Sequence, residues 1–309
     1  MHLVITDSGL GGLAACAALE QRLRGARLAR TVRLTYVNAW PFEDSGYNDL
    51  PDPAARARVF DAALSRIAEM RPDRLVIACN TLSILYPQTA FSRDPVVPVQ
   101  GIIDAGVDVF TESLFGDATA SLVLVGTKTT IESAVHRDRI AARGVDPGRV
   151  SAVACRGLAA SIERGVDSLQ TAGLIALCTT RAAEAAPDGA GLILGLCCTH
   201  YGYVAGRLAS GLASKTGRAV RVLDPVSRLV DAVMADLAPP DVVAAAAAGR
   251  EPGTSSTTLR EPAGNIPVEL ISKVRLDEQA SHSIALLIEP VSAAAARALL
   301  SYARIPDLF

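Results

Sequence analysis

Two short stretches set a thiol beside small polar groups at the end of an apolar run: Cys79-Asn80-Thr81 and Cys198-Thr199-His200. An unperturbed thiol ionises near pH ~8.5, and neighbouring donors lower that value, so cysteine can serve as a base as well as a nucleophile. Two thiols facing one another across a cleft could take a proton from one face of a substrate carbon and deliver another to the opposite face. Inversion of that carbon follows. Two further polar clusters end apolar runs: Asp7-Ser8, which opens the glycine-rich turn "DSGLGG", and "GTKTT", which carries Thr127 and Thr130. Such turns can present free backbone N–H groups and hydroxyls to a carboxylate.

Residues so far apart need a scaffold that gathers strand ends. The runs "HLVITDSG", "VRLTYVNA", "RLVIACNT", "SLVLVGTKT", "RVSAVACRG" and "GLILGLCCTH" are short, apolar and closed by small polar residues. Between most of them lie stretches of helical periodicity such as "AALSRIAEM" and "TIESAVHRDRIAARG". This alternation predicts parallel strands with helical crossovers, and in such sheets ligands bind beyond the carboxyl ends of the strands. Asp7 to Cys79 and Thr127 to Cys198 span nearly equal stretches of about 70 residues, which predicts two similar halves. Packed face to face about a pseudo-twofold axis, the halves would bring both cysteines to one cleft.

Composition narrows the ligand. The chain has 309 residues, 50% of them hydrophobic, and a formal charge of -2 from 30 basic and 32 acidic residues. That is enough for two domains, and it gives no global field for nucleic acid or an anionic membrane. No apolar stretch is long enough to span a bilayer, and the first residues do not read as a signal peptide. A cytoplasmic protein with a small-molecule ligand is expected. Six cysteines are too sparse for a disulfide scaffold and suit a reducing compartment; Cys16, Cys155, Cys178 and Cys197 read as structural. His200 lacks the companion ligands of a zinc site, so no metal is expected. The three lysines, Lys128, Lys215 and Lys273, offer no convincing Schiff base, so pyridoxal phosphate is not expected and no cofactor is assigned.

"TDSGLGGL", "IACNTLS", "GTKTTIES" and "CCTHYG" resemble, in order and spacing, the signature stretches of glutamate racemase and the cofactor-independent aspartate/glutamate racemase superfamily. The resemblance covers roughly residues 1 to 235. It implies an α/β fold of two pseudo-symmetric, parallel-sheet (flavodoxin-like) domains with the active site in the cleft between them. One domain would comprise 1–98 plus 222–309, with a C-terminal extension, and the other 99–221. It further implies Cys79 and Cys198 as acid/base thiols, Asp7 assisting the first, and Glu163 (from "CRGLAASIERG") and His200 assisting the second. Ser8, Asn80, Thr81, Thr127, Thr130 and Thr199 would bind the substrate's carboxylate and ammonium groups.

The implied activity is two-base racemisation of an amino acid, with glutamate as leading substrate, yielding a D-amino acid used as a cell-wall precursor. Aspartate or another amino acid is the alternative substrate, and a noncatalytic amino-acid-binding protein is the alternative class. A homodimer is the candidate assembly. Some features depart from the family pattern. The Pro-Tyr-Gly loop is replaced by "NAWPFEDSGYNDLP", whose Glu43, Asp44 and Asp49 would repel a second carboxylate unless they face solvent. Gly202 stands where proline is common, and Cys197 where glycine is usual. The stretch "AAAAAGREPGTSSTTLREPAGN" reads as a loop, followed by "VELISKVRL" and a helix capped by Ser292; a lid and an oligomer contact are both open for this tail.

Overall fold

The computed structural model describes residues 1–26, 31–237 and 266–309. All six expected strands are present: β1 (His2–Asp7), β2 (Arg33–Asn38), β3 (Arg74–Ile77), β5 (Ser121–Gly126), β6 (Val150–Ala154) and β7 (Leu192–Cys197). Four more complete the sheets: β4 (Val99–Gly101), β8 (Val220–Leu223), β9 (Val268–Ser272) and β10 (Ala303–Arg304). The first sheet has the order β10-β9-β2-β1-β3-β4 and the second β6-β5-β7-β8. Every strand pair within them is parallel.

The order β2-β1-β3-β4 of the first sheet is repeated as β6-β5-β7-β8 in the second, so the two expected halves are structural equivalents. Both sheets are covered on both faces. Alternate residues of β1 feed opposite layers, Leu3 and Ile5 one and Val4 the other, and on β5 Val123 and Val125 oppose Leu122 and Leu124. Each such aliphatic side chain contributes roughly 1.5–3 kcal/mol by leaving water. Because strands buried on both faces run in one direction, their polar carboxyl ends emerge together.

The sheet boundaries differ slightly from the expected divisions at 98/99 and 221/222. Val99–Gly101 pairs with β3 in the first sheet, and Val220–Leu223 pairs with β7 in the second. The helix expected over "TIESAVHRDRIAARG" is broken into Lys128–Glu132 and Val135–Ala142, because Ala134 takes a left-handed conformation with φ 57°. The segment 244–265 lies outside the described residues. Beyond it, β9 adds to the edge of the first sheet beside β2, and Ser292 caps its helix by accepting from the Ala295 N–H. The helix Glu278–Ile288 packs against the helix Leu158–Arg164, so this part of the tail is built into the fold.

Candidate active site

The glycine turn after β1 lies where the second sheet's residues press on it. A Cβ on Gly11 would fall 2.5 Å from both His200 Nδ1 and Thr199 Oγ1, and one on Gly9 would fall 2.5 Å from Glu163 Oε1. No side chain fits at either position. The carboxylate held by this turn belongs to the protein: the Leu10 N–H donates to Glu163 Oε1 at 2.6 Å. The expected cradle for a substrate carboxylate is thus partly occupied by Glu163.

Cys79 lies one residue beyond β3, after Ala78, and precedes the helix Asn80–Leu85. Its Sγ lies 3.1 Å from Ser8 Oγ. Burial and then the Asp7 charge push the Cys79 thiol well up, while the Ser8 hydroxyl pulls it partly back. Asp7 is fully buried, and one carboxyl oxygen, Oδ1, has no hydrogen-bond partner among the described residues. Burial raises it to about 6, against the opposing influence of His200 and the Thr199 hydroxyl. A carboxylate that changes protonation near neutrality therefore sits beside a thiol that holds its proton.

Cys198 follows β7, the counterpart of β3, and its Sγ is 3.7 Å from His200 Nδ1. The other ring nitrogen, Nε2, is 2.5 Å from Glu163 Oε1. Burial works against the charge on His200, but the Glu163 carboxylate and hydrogen bonds to Cys198 and Glu163 outweigh it and hold the imidazole well above its ordinary value. Burial likewise raises Glu163, yet His200 and the Leu10 N–H leave it below the usual carboxylate range. The pair is ionic and supplies a cationic donor next to Cys198. The two thiols thus have opposite surroundings, an acid beside one and an imidazolium beside the other.

Both cysteines, with Asp7, Ser8, Asn80, Thr81, Thr127, Glu163, Thr199 and His200, line one cavity of about 360 Å³. Asn80 is buried, and both its amide oxygen and nitrogen lack partners among the described residues. Such a side chain is costly unless something polar meets it. Thr81 Oγ1 lies 3.0 Å from Thr127 Oγ1 and 3.3 Å from Thr130 Oγ1, a hydroxyl cluster that joins the two halves. Thr130 is buried behind this cluster rather than on the cavity wall. Thr127 also caps the helix Lys128–Glu132 by accepting from the Thr130 N–H.

The acidic loop divides in two. Glu43 turns away to the Arg304 guanidinium and the Arg275 N–H, while Asp49 lines the cavity but accepts from the Gly46 N–H. Trp40 forms a wall, and a Cβ on Gly46 would fall 2.5 Å from its ring, so only glycine lets the loop fold against it. Asn48 Oδ1 accepts from the Thr129 hydroxyl at 2.8 Å and so ties this loop to the second half. Lys128 and Arg156 also line the cavity. Sequence reading placed no site role on Trp40, Asn48, Lys128 or Arg156; their signal was the position of each within or beside a strand-end loop.

Gly202 also has a local reason, since a Cβ there would fall 2.7 Å from Asp224 Oδ2. The expectation of unpaired structural cysteines fails at one pair. Cys155, on the cavity wall at the end of β6, is joined by a disulfide to Cys178 in the helix Leu169–Ala185. Strand end and helix lie side by side there, with a Cα–Cα distance of 5.3 Å. Cys197, the last residue of β7, also lines the cavity although it is fully buried from solvent, and burial pushes its thiol up.

Among the described residues no helix is long and apolar enough to cross a membrane. A Campylobacter jejuni glutamate racemase is 29% identical over 178 residues, which is 56% of this chain and 65% of that protein. The matched part thus spans slightly under two thirds of that relative. A Saccharopolyspora erythraea glutamate racemase is 32% identical over 206 residues, 66% of this chain and 69% of that one. The fold is similar to the crystal structure of a Campylobacter jejuni glutamate racemase, with a TM-score of 0.66 at 19% identity over 94% of this chain and 98% of the other. The sequence pattern of the Asp/Glu/Hydantoin racemase family matches residues 5–233, and the chain belongs to that family.

Proposed function

We propose that the protein is a cofactor-independent amino-acid racemase in which Cys79 and Cys198 exchange protons with opposite faces of the substrate α-carbon. The observation that carries this reading is the equivalence of the two thiols. They follow β3 and β7, line one cavity and have separate titratable partners. The ionised thiol removes the α-proton, the other donates its own, and the roles reverse with substrate handedness. Asp7 serves Cys79, and the Glu163–His200 pair serves Cys198. Asn80, Ser8, Thr81, Thr127 and Thr199 supply the polar contacts that orient the α-carboxylate and ammonium groups, with Thr130 supporting the hydroxyl cluster.

Glutamate is the substrate favoured here. Glu43 is turned away from the cavity, and Lys128 and Arg156 give its wall positive charge that a second carboxylate would meet. Arg156 is 3.6 Å from Glu132, both side chains being more than half exposed, which leaves it available to a stronger anionic partner. In this reading the protein is cytoplasmic, makes a D-amino acid for cell-wall precursors, and divides into domains following the two sheets. A homodimer is the assembly to check by light scattering. The direct test is chiral chromatography of the purified, dialysed protein against the common amino acids with no cofactor added. Inversion of glutamate supports the reading, and activity that required pyridoxal phosphate or a metal would refute it.

A further inference from the structure

Three successive carbonyls of the glycine turn are held by tyrosine hydroxyls from different parts of the molecule. Tyr36, on β2 of the same sheet, donates to the Gly9 carbonyl at 2.6 Å. Tyr203, from the other half, lies 3.2 Å from the Leu10 carbonyl and 3.4 Å from that of Gly11. Its ring packs against hydrophobic cores of both halves. Tyr203 sits three residues after His200 in the 3₁₀ turn Thr199–Val204, and side chains at that spacing in such a turn point the same way. His200 and Tyr203 therefore leave one turn toward one target.

That target is Leu10, the residue on which Glu163 also rests. The Leu10 N–H donates to Glu163 Oε1, the same oxygen that meets His200 Nε2, while the Leu10 carbonyl accepts from Tyr203. We infer that Tyr203 is a positioning residue: it pins the Leu10–Gly11 peptide of one half against the other, so that the Leu10 N–H stays on Glu163 and the Glu163–His200 pair is registered on Cys198. The kinetic consequence rests on the two-thiol reading. The pin itself is a property of the fold and can be read without turnover.

The test uses Tyr203→Phe, which keeps the ring between the two cores and removes only the hydroxyl, beside Tyr201→Phe, which removes a hydroxyl of the same turn that donates within the second half, to the Gly126 and Cys155 carbonyls. Hydrogen exchange of the Leu10 amide in Tyr203→Phe should be about 10-fold faster than in wild type, the effect of losing one hydrogen bond, with β1 amides unchanged. The value of kcat should fall about 10-fold while KM stays within about 2-fold. The Glu163 carboxyl, followed directly by carbon NMR, should titrate higher than in wild type, because it loses a donor that favours its charged form. Tyr201→Phe should lower thermal stability and leave the Glu163 titration in place. Unchanged Leu10 exchange in Tyr203→Phe, or an equal rise of the Glu163 titration in both variants, would overturn the inference. If wild type inverts no amino acid, the two-thiol reading fails while the exchange measurement still decides whether the pin exists.

Discussion

The Thr199 hydroxyl donates to Asp7 Oδ2 at 2.9 Å, joining the carboxyl ends of β7 and β1 across 192 positions of sequence. Thr199 adjoins one thiol and Asp7 serves the other. The bond therefore ties the surroundings of Cys198 to the acid beside Cys79, and Gly12 makes room for it, since a Cβ there would fall 2.8 Å from Asp7 Oδ2.

Asp7 should make stability fall as pH rises. Its folded value, about 6, lies above its reference value of 3.8, so the folded state binds this proton more tightly. Stability is then greatest below about pH 4 as far as this group is concerned, declines between there and about 6, and is lower by about 3 kcal/mol at pH 8. Asp7→Asn removes the buried charge. In urea titrations the variant should gain a few kcal/mol over wild type at pH 8 and little at pH 4, while losing most activity. An equal gain at both pH values would show that Asp7 ionisation does not limit stability.

Replacing either Cys79 or Cys198 by alanine should lower racemisation by at least about 10³-fold, the scale of a lost acid/base group, and leave the unfolding midpoint near wild type. Cys197→Ala should keep measurable activity. In heavy water, early product should carry deuterium at the α-carbon while unreacted substrate stays protiated, as read by NMR. Product that retains the original proton would point to a single base instead.

Lys128→Met should raise KM for glutamate about 10-fold, the effect of losing a charge-assisted hydrogen bond, with kcat changed much less. For alanine or serine, which lack a distal carboxylate, any KM measured should not move. A uniform change across substrates would remove Lys128 from the specificity wall.

Gly11→Ala should cost about 2 kcal/mol of stability and abolish activity, because its methyl group overlaps His200 and Thr199. Gly25→Ala is the contrasting change, since among the described residues nothing lies within 4 Å of a Cβ there. Thermal melts of the two variants separate a steric cause from a general loss of glycine. Matching melts would refute the close-approach account.

The sequence by itself determined the six expected strands, their parallel sense, the doubled architecture and the two thiol motifs. These are local properties: apolar runs of strand length end in small polar residues, and helical periodicity lies between them. Through the resemblance of its motifs it also pointed to Glu163 and His200, which the structure brings to 2.5 Å from one another. What it could not place is which groups meet across the cleft. "DSGLGG" is compatible with holding a ligand carboxylate, and only the packing of the second half shows that its glycines admit Glu163, Thr199 and His200. The acids of "FEDSGYND" carry the same charge in any conformation, but whether that charge acts on the cavity depends on Arg304 and the Arg275 N–H, some 230 to 260 positions away, drawing Glu43 aside. Cys155 and Cys178 read as separate residues because their pairing depends on a strand end and a helix lying side by side. Periodicity records how each segment buries its own face; charge, close approach and pairing between segments depend on distances that arise only when the two halves pack together.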